Sequence, residues 1–286
     1  MEAAFFDLDK TVIDRASIMA FAGHFRREGL VSRRALARGA CRQLVYRHRG
    51  AGARRLEKVR RSVLAVTQGW DSGQVRGIVV AALAEAVDPI TYVEARELIR
   101  DHIARGRRVY LVSAAPAEIV EPIAERLGVH EAVASVAVVD DDGRYTGELH
   151  TYVYGPAKAD ALLEIAERDG IDLAASYAYS DSATDLPMLE TVGHPIAVNP
   201  DRHLRHVAAE REWEVLNFSQ LPKPAGADDI AVPEEDAVVE AADMARRRHG
   251  RRRVLTWGSV AAAVAAAGGG ATAIAWRSYR SQLGEA

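Results

Sequence analysis

Phe5-Phe6-Asp7-Leu8-Asp9-Lys10-Thr11 is an apolar strand that runs straight into two carboxylates and a threonine. In an extended backbone Asp7 and Asp9 project to the same side, at the point where a buried strand leaves its sheet. Two acids held so close repel each other unless a cation sits beside them. Mg²⁺ suits such a pair, because it takes carboxylate and backbone oxygens and keeps positions open for phosphate. A strand that merely ends in an acidic turn would carry the same residues, so the reading depends on what accompanies them.

Three further segments accompany them, in order. Val109-Tyr110-Leu111-Val112-Ser113-Ala114-Ala115 is a second apolar run that ends in a hydroxyl and small residues. Gly155-Pro156-Ala157-Lys158 places a lysine at the start of a helical stretch. Tyr177-Ala178-Tyr179-Ser180-Asp181-Ser182-Ala183-Thr184-Asp185 is a third strand-like run closing on two more carboxylates. The ordered set resembles the four motifs of the haloacid dehalogenase superfamily, most of whose members are phosphohydrolases. The resemblance spans about residues 3–201 and is nearest to the branch that contains phosphoserine phosphatase.

That resemblance implies an α/β fold: a Rossmann-like three-layer core around a parallel sheet, with a helical cap between the first two motifs. It also implies roles. Asp7 matches the nucleophile that forms an aspartyl-phosphate, and Asp9 the general acid and base. Asp181 matches the Mg²⁺ ligand, together with the Asp7 carboxylate and the Asp9 backbone carbonyl. Asp185 is expected as a further ligand or as an acceptor that orients one. Ser113 and the Ala114 amide match the phosphate-holding groups, and Lys158 the lysine that neutralises phosphate. Thr11 is expected to order its loop. Asn199, in Ala197-Val198-Asn199-Pro200-Asp201, reads equally as a hydrogen-bonding group near the site and as a turn former.

Departures from the family pattern bear on substrate. Ala16 falls where phosphoserine phosphatases carry an amine-holding glutamate. Thr184 replaces the usual asparagine of the last motif, and Ala114-Ala115 replace Gly-Gly. The catalytic set survives while the amino-acid-recognising set does not, so phosphoserine is not the expected substrate.

Alternating strand and helix patterns over the rest of the first 218 residues imply a mainly parallel sheet with helices on both faces. In such sheets ligands sit at the carboxyl ends of the strands. Expected elements include helices over 91–105, 117–127, 157–169 and 185–192. Expected strands include 108–112, 133–139, 175–180, 195–198 and 213–217, with a hairpin turn at Asp140-Asp141-Asp142-Gly143. The expected organisation is a core of residues 1–14 and 88–218, a helical cap of 15–87, a linker of 219–245, a polybasic segment of 246–253 and a membrane-spanning helix of 254–276.

Charge is unevenly spread. The net charge is −3, yet residues 15–87 hold 15 Lys and Arg against 4 Asp and Glu. Such a block attracts phosphorylated substrates or an anionic membrane surface. Without aromatic interleaving or a recognisable motif, nucleic acid is not an expected partner. Cys41 is the only cysteine, which fits a reducing compartment. No secretory signal precedes the first strand, so a cytoplasmic catalytic domain is expected.

Six arginines crowd residues 246–253, and Val254 to Trp276 then runs without a charge. At about 1.5 Å per residue the run reaches ~34 Å, enough for a hydrocarbon layer of about 30 Å. Trp257 and Trp276 stand near its two ends, and the arginines before it outnumber Arg277 and Arg280, which favours a cytoplasmic enzyme domain. Its small residues favour close helix approach, so a homodimer is an expectation too. The function expected overall is a Mg²⁺-dependent phosphomonoester hydrolase at the cytoplasmic membrane face. It would act on a small phosphorylated substrate, with a lipid phosphate as an extension. A membrane-anchored regulatory protein on the same fold and a phosphotransferase are the alternatives.

Overall fold

The computed structural model describes residues 1–31, 60–61 and 63–222. Cys41, residues 32–59 and 62 of the expected cap, the linker beyond residue 222, the arginine cluster and the expected membrane helix lie outside the described residues. Among the described residues no helix is long and apolar enough to cross a membrane.

The sheet forms around β1 (Ala3–Asp7), whose five residues are all buried. It pairs in parallel with β2 (Arg108–Pro116) on one side and β5 (Tyr177–Ser180) on the other. Outward from these lie β3 (Glu131–Val139), β6 (His194–Val198) and β7 (Glu214–Leu216), all parallel. The hairpin strand β4 (Tyr145–Thr151) is antiparallel to β3, giving the order β4-β3-β2-β1-β5-β6-β7. A central parallel strand is covered on both faces, which is why β1 reads as an unbroken apolar run. Its side chains alternate between two cores. Phe6 stacks on Tyr179 with ring centroids 4.3 Å apart, and Phe5 stacks on Tyr110 at 5.1 Å in the opposite core.

Helices cover both faces. On one side, the core around Phe6 and Leu111 takes Ala95 and Ile99 of α4 (Val93–Ala104) and Ile119 and Ile123 of α5 (Ala117–Leu127). The other core takes Leu162 and Ile165 of α6 (Pro156–Asp169), Met188 of α7 (Leu186–Glu190) and Leu204 of α8 (Arg202–Glu210). The helical insertion after β1 shows α1 (Ser17–Ala20), α2 (Ala22–Arg27), helical residues 60–61 and 63–67, and α3 (Ser72–Ala86). Asp71 caps α3 by accepting from the Gln74 amide at 2.7 Å. The insertion docks on the core through backbone bonds: Gly69 N–H donates to Tyr145 O at 2.8 Å and Tyr145 N–H to Trp70 O at 3.0 Å. The Arg76 guanidinium adds ion pairs to Glu121 and Glu125 of α5.

Three elements differ from expectation. Strand β5 starts at Tyr177, because residues Leu173–Ala175 close a 3-10 turn whose Ala174 and Ala175 amides donate to the Asp172 side chain. The helix expected over 185–192 is a 3-10 turn (Ala183–Asp185) followed by the short α7, which stops before Gly193. A Cβ at Gly193 would stand 1.7 Å from the Ala174 carbonyl oxygen, so only glycine fits. Finally, the stretch expected as linker from residue 219 begins pinned: the Ser219 and Gln220 amides both donate to Glu94 Oε1 at 2.9 Å.

Candidate active site

All of the strand-ending motifs open on the carboxyl edge of the sheet, and side chains from separate strands meet there. Asp7 is the last residue of β1 and is 6% exposed. Lys158 enters from the first turn of α6 and is 3% exposed. Its ammonium donates to Asp7 Oδ1 at 2.6 Å and to Asp185 Oδ2 at 2.7 Å. Ser180, at the end of β5, donates to the same Asp185 oxygen at 2.7 Å. Thr11 donates to Asp7 Oδ2 at 3.2 Å, so its hydroxyl touches the first acid as well as standing in the loop.

Gly155 explains how the lysine reaches in. Its φ of 58° and ψ of −124° lie where only glycine is comfortable. Pro156 then sets the first helical position, and Lys158 follows two residues later.

The other acids surround this pair. Asp9 accepts the Ser17 amide at 2.8 Å, which fixes its carboxylate against the start of α1. Asp181 lies just beyond β5, buried to 8% exposure, with the Lys10 ammonium 3.8 Å from its Oδ2. Lys10 itself holds a left-handed backbone, φ 67°. The Asp181 carbonyl accepts the Asp201 amide at 2.8 Å, and Asp201 Oδ2 accepts the Ala183 amide at 3.1 Å. The loop carrying Asp181 is thereby tied to the start of α8.

Electrostatics follow from crowding. Burial pushes Asp7 up to about 8, opposed by Lys158 and reinforced by Asp185 and Asp181. Burial likewise pushes Asp181 up to about 7, against the pull of Lys10. Asp9 is raised by burial despite the Ser17 amide that it accepts. For Lys158, burial opposes the charge, but Asp7 and Asp185 outweigh it and hold the ammonium firmly protonated. Four carboxylates thus share two lysines. Burial therefore favours protonation of part of the cluster, and a divalent cation would let its carboxyls ionise together.

The donor set fits Mg²⁺. Among the described residues no three acid, histidine or cysteine side chains form a closed cage. Mg²⁺ does not need one: one or two carboxylates, a carbonyl and open positions are its ordinary surroundings. Asp7 and Asp181, with the carbonyl of Asp9, are the residues that would hold it. Asp185 has its Oδ2 committed to Lys158 and Ser180, which makes it the acceptor that orients the lysine.

The phosphate-side groups come from β2. Ser113 is 2% exposed and its Oγ accepts the Ala115 amide at 3.1 Å. The β2–β3 register slips between Ser113 and Pro116, which lifts Ala114 and Ala115 out of the ladder. Ser135 of β3 holds the lifted segment by donating to the Ala114 carbonyl at 2.9 Å.

Of the two readings of Asn199, the turn former is the one the structure shows. Asn199 spends its side chain elsewhere: its Nδ2 donates to Phe218 O and its Oδ1 accepts the Phe218 amide, both at 3.0 Å. Its left-handed φ of 44° makes it a turn residue that anchors the strap at 218–220. Residues not singled out in the sequence, Ser180, Ser135 and Asp201, hold the site together. Only Asp201 left a readable signal, as an Asn-Pro-Asp turn before an amphipathic helix.

Comparison with known proteins agrees with this geometry. The family model for haloacid dehalogenase-like hydrolases matches residues 4–190. An "inhibition of morphological differentiation protein" of Streptomyces azureus is 50% identical over 216 residues, covering 76% of this chain and 78% of that one. A probable phosphatase of Mycobacterium tuberculosis is 45% identical over 232 residues, covering 79% and 80%. A solved substrate-bound phosphoserine phosphatase shares the fold, with a TM-score of 0.54 at 21% identity, covering 80% of this chain and 98% of that one. A chain matched over most of its catalytic core in this way belongs to the haloacid dehalogenase-like hydrolases, and within them to the phosphatases.

Proposed function

We propose that the protein hydrolyses phosphomonoesters through an aspartyl-phosphate on Asp7, with Mg²⁺ as cofactor. The observation that carries this is the buried Lys158 bridge between Asp7 and Asp185, with Asp9 held separately by the Ser17 amide. Asp7 is oriented at its oxygens by Lys158 and Thr11, and Asp9 stands apart from that bridge with its carboxylate on the Ser17 amide.

The steps follow from those differences. An Asp7 oxygen attacks phosphorus and the bond to the ester oxygen breaks, while Asp9 gives its proton to the departing alcohol. Burial raises Asp9 and so favours the protonated form that this step needs. Asp9 then takes a proton from water, the water oxygen attacks phosphorus, and inorganic phosphate leaves with Asp7 restored. Ser113 and the Ala114 amide of the β2 bulge face the phosphoryl oxygens, and Lys158 offsets their charge. When bound, Mg²⁺ supplies neutralisation between the Asp7 carboxylate and the phosphate.

The test is phosphate release by the purified full chain with and without Mg²⁺, beside Asp7→Asn. Expected are metal-dependent turnover and its loss by at least about a thousandfold in a folded Asp7→Asn protein, the scale on which nucleophile removal acts. Undiminished turnover in Asp7→Asn would remove the aspartyl-phosphate route. Localisation at the cytoplasmic face of a membrane is part of the proposal, supported by the uncharged run 254–276 behind its arginine cluster.

A further inference from the structure

A chamber of about 270 Å³ opens between the catalytic edge and the helical insertion. Its position relative to the chemistry is specific. Asp9, the residue that protonates the leaving oxygen in the proposed reaction, forms part of the wall, as do Ala114 and Ala115 of the phosphate-side bulge. Whatever alcohol leaves must therefore extend into this space.

The wall is apolar. The insertion contributes Phe25, Val63, Leu64 and Trp70, and the core contributes Ile119 and Leu149 among others. Among the described lining residues Asp9 is the only acid and Arg60 the only base. The Arg60 guanidinium lies over the Tyr152 ring at 5.3 Å, so its charged face is packed on the wall. An amino-acid phosphate would bring an ammonium here, where the one acid among the described lining residues is Asp9, already used in the proposed reaction, so the ammonium is left unpaired at a cost. Ala16 offers no carboxylate in compensation.

We infer that this chamber selects phosphomonoesters of compact apolar alcohols, alkyl or aryl, over those of amino acids and other zwitterions. The inference rests on the phosphatase reading and names its leaving group. Size agrees: an apolar cavity of about 150 Å³ already accommodates benzene, and this one is larger. Apolar alcohols also leave no polar group unpaired against Trp70, Leu64 and Ile119. The same chemistry can come from a soluble ester or from the headgroup end of a lipid.

The experiment is kcat/KM of the Mg²⁺-loaded full chain on ethyl, butyl and hexyl phosphate below their micelle concentrations, with phosphoserine alongside. Leaving-group acidity is nearly constant along the alkyl series, so changes report burial. Each buried methylene is worth ~0.8 kcal/mol, or about fourfold. The expected gain from ethyl to hexyl is at least tenfold, with phosphoserine no better than ethyl phosphate. Leu64→Gln is expected to lower the hexyl-to-ethyl ratio at least threefold, whereas a merely structural lesion would slow both esters alike. A second arm presents long-chain lysophosphatidate in phosphatidylcholine vesicles. Faster turnover there than of hexyl phosphate identifies a lipid source, and slower turnover a soluble one. A flat alkyl series, or preference for phosphoserine, overturns the inference while leaving the phosphatase reading intact. No phosphate release from any ester overturns both.

Discussion

Lys158 carries one positive charge between two buried carboxylates, so its removal is an electrostatic experiment. In Lys158→Met the side-chain volume stays, but Asp7 and Asp185 lose their shared cation. Leaving buried charges uncompensated costs about 3 kcal/mol or more. That loss is expected at pH 8 without Mg²⁺. It shrinks at pH 5, where Asp7, pushed up to about 8 by burial, takes up a proton and sheds its charge. Urea unfolding at the two pH values checks this, and equal losses at both would refute it. His102 gives the opposite slope. It is 2% exposed, donates to or accepts from the Tyr179 hydroxyl at 2.8 Å, and burial beside Arg107 pushes it down to about 4. Its folded pKa lies below the unfolded value of about 6.5, so its neutral form stabilises the fold fully above pH 6.5. That contribution is lost as pH falls towards 4, and reaches about 2 kcal/mol at pH 5. Replacing it in His102→Gln should flatten the acid side of the stability profile by that amount. At this scale the sequence displayed the acids, the lysine and the phosphate-side serine, because each stands at the end of an apolar run. Ser180 was hidden, since a hydroxyl next to a motif acid looks like any strand-end residue. Asn199 was ambiguous, because an amide side chain in a turn serves nearby backbone, here that of Phe218, as readily as a ligand.

Between elements, the site depends on how a few turns aim their side chains. The Gly155 turn brings Lys158 inward, and its φ and ψ penalise any Cβ. Gly155→Ala is expected to cost about 1–3 kcal/mol, the range for a strained non-glycine residue, and to lower kcat more than it raises KM. Thermal unfolding together with steady-state kinetics reads both, and a variant with unchanged kcat would break the link between this turn and the lysine. Asp201 caps α8 by accepting from the His203 and Leu204 amides, while its second oxygen holds Ala183. Loss of the cap in Asp201→Ala should cost ~1 kcal/mol. Loosening the Asp181 loop should also raise the Mg²⁺ concentration needed for half-maximal rate, measured by metal titration. Helix α5 was legible because Gly128 stops an amphipathic run, and the β3–β4 hairpin because an acidic Asp-Asp-Asp-Gly turn follows the apolar β3. The late 3-10 turns were not. Their boundaries come from side-chain caps at Asp172 and Ser182, neither of which has a periodicity. The β2 bulge was equally silent, since slippage against β3 is a property of two strands together.

On the scale of the whole molecule, the charge layout separates two modes of membrane contact. A basic insertion of net +11 and the arginine cluster at 246–253 would both bind an anionic surface electrostatically. A spanning helix over 254–276 would instead hold through apolar burial, even though its alanines and glycines make the run less apolar than a leucine-rich one. Salt distinguishes them. At about 1 M ionic strength the Debye length falls to roughly 3 Å, and contacts between exposed charges are screened. Burial of an uncharged segment is not weakened by that screening. The full chain is therefore expected to stay in the membrane pellet through a wash of ~1 M salt, and to leave it only with detergent. A chain shortened to residues 1–222 keeps the whole basic insertion and should be released by the same salt. Release of both forms by salt would reassign the tail to peripheral electrostatic binding, and recovery of the full chain from the supernatant without salt would remove the tether altogether.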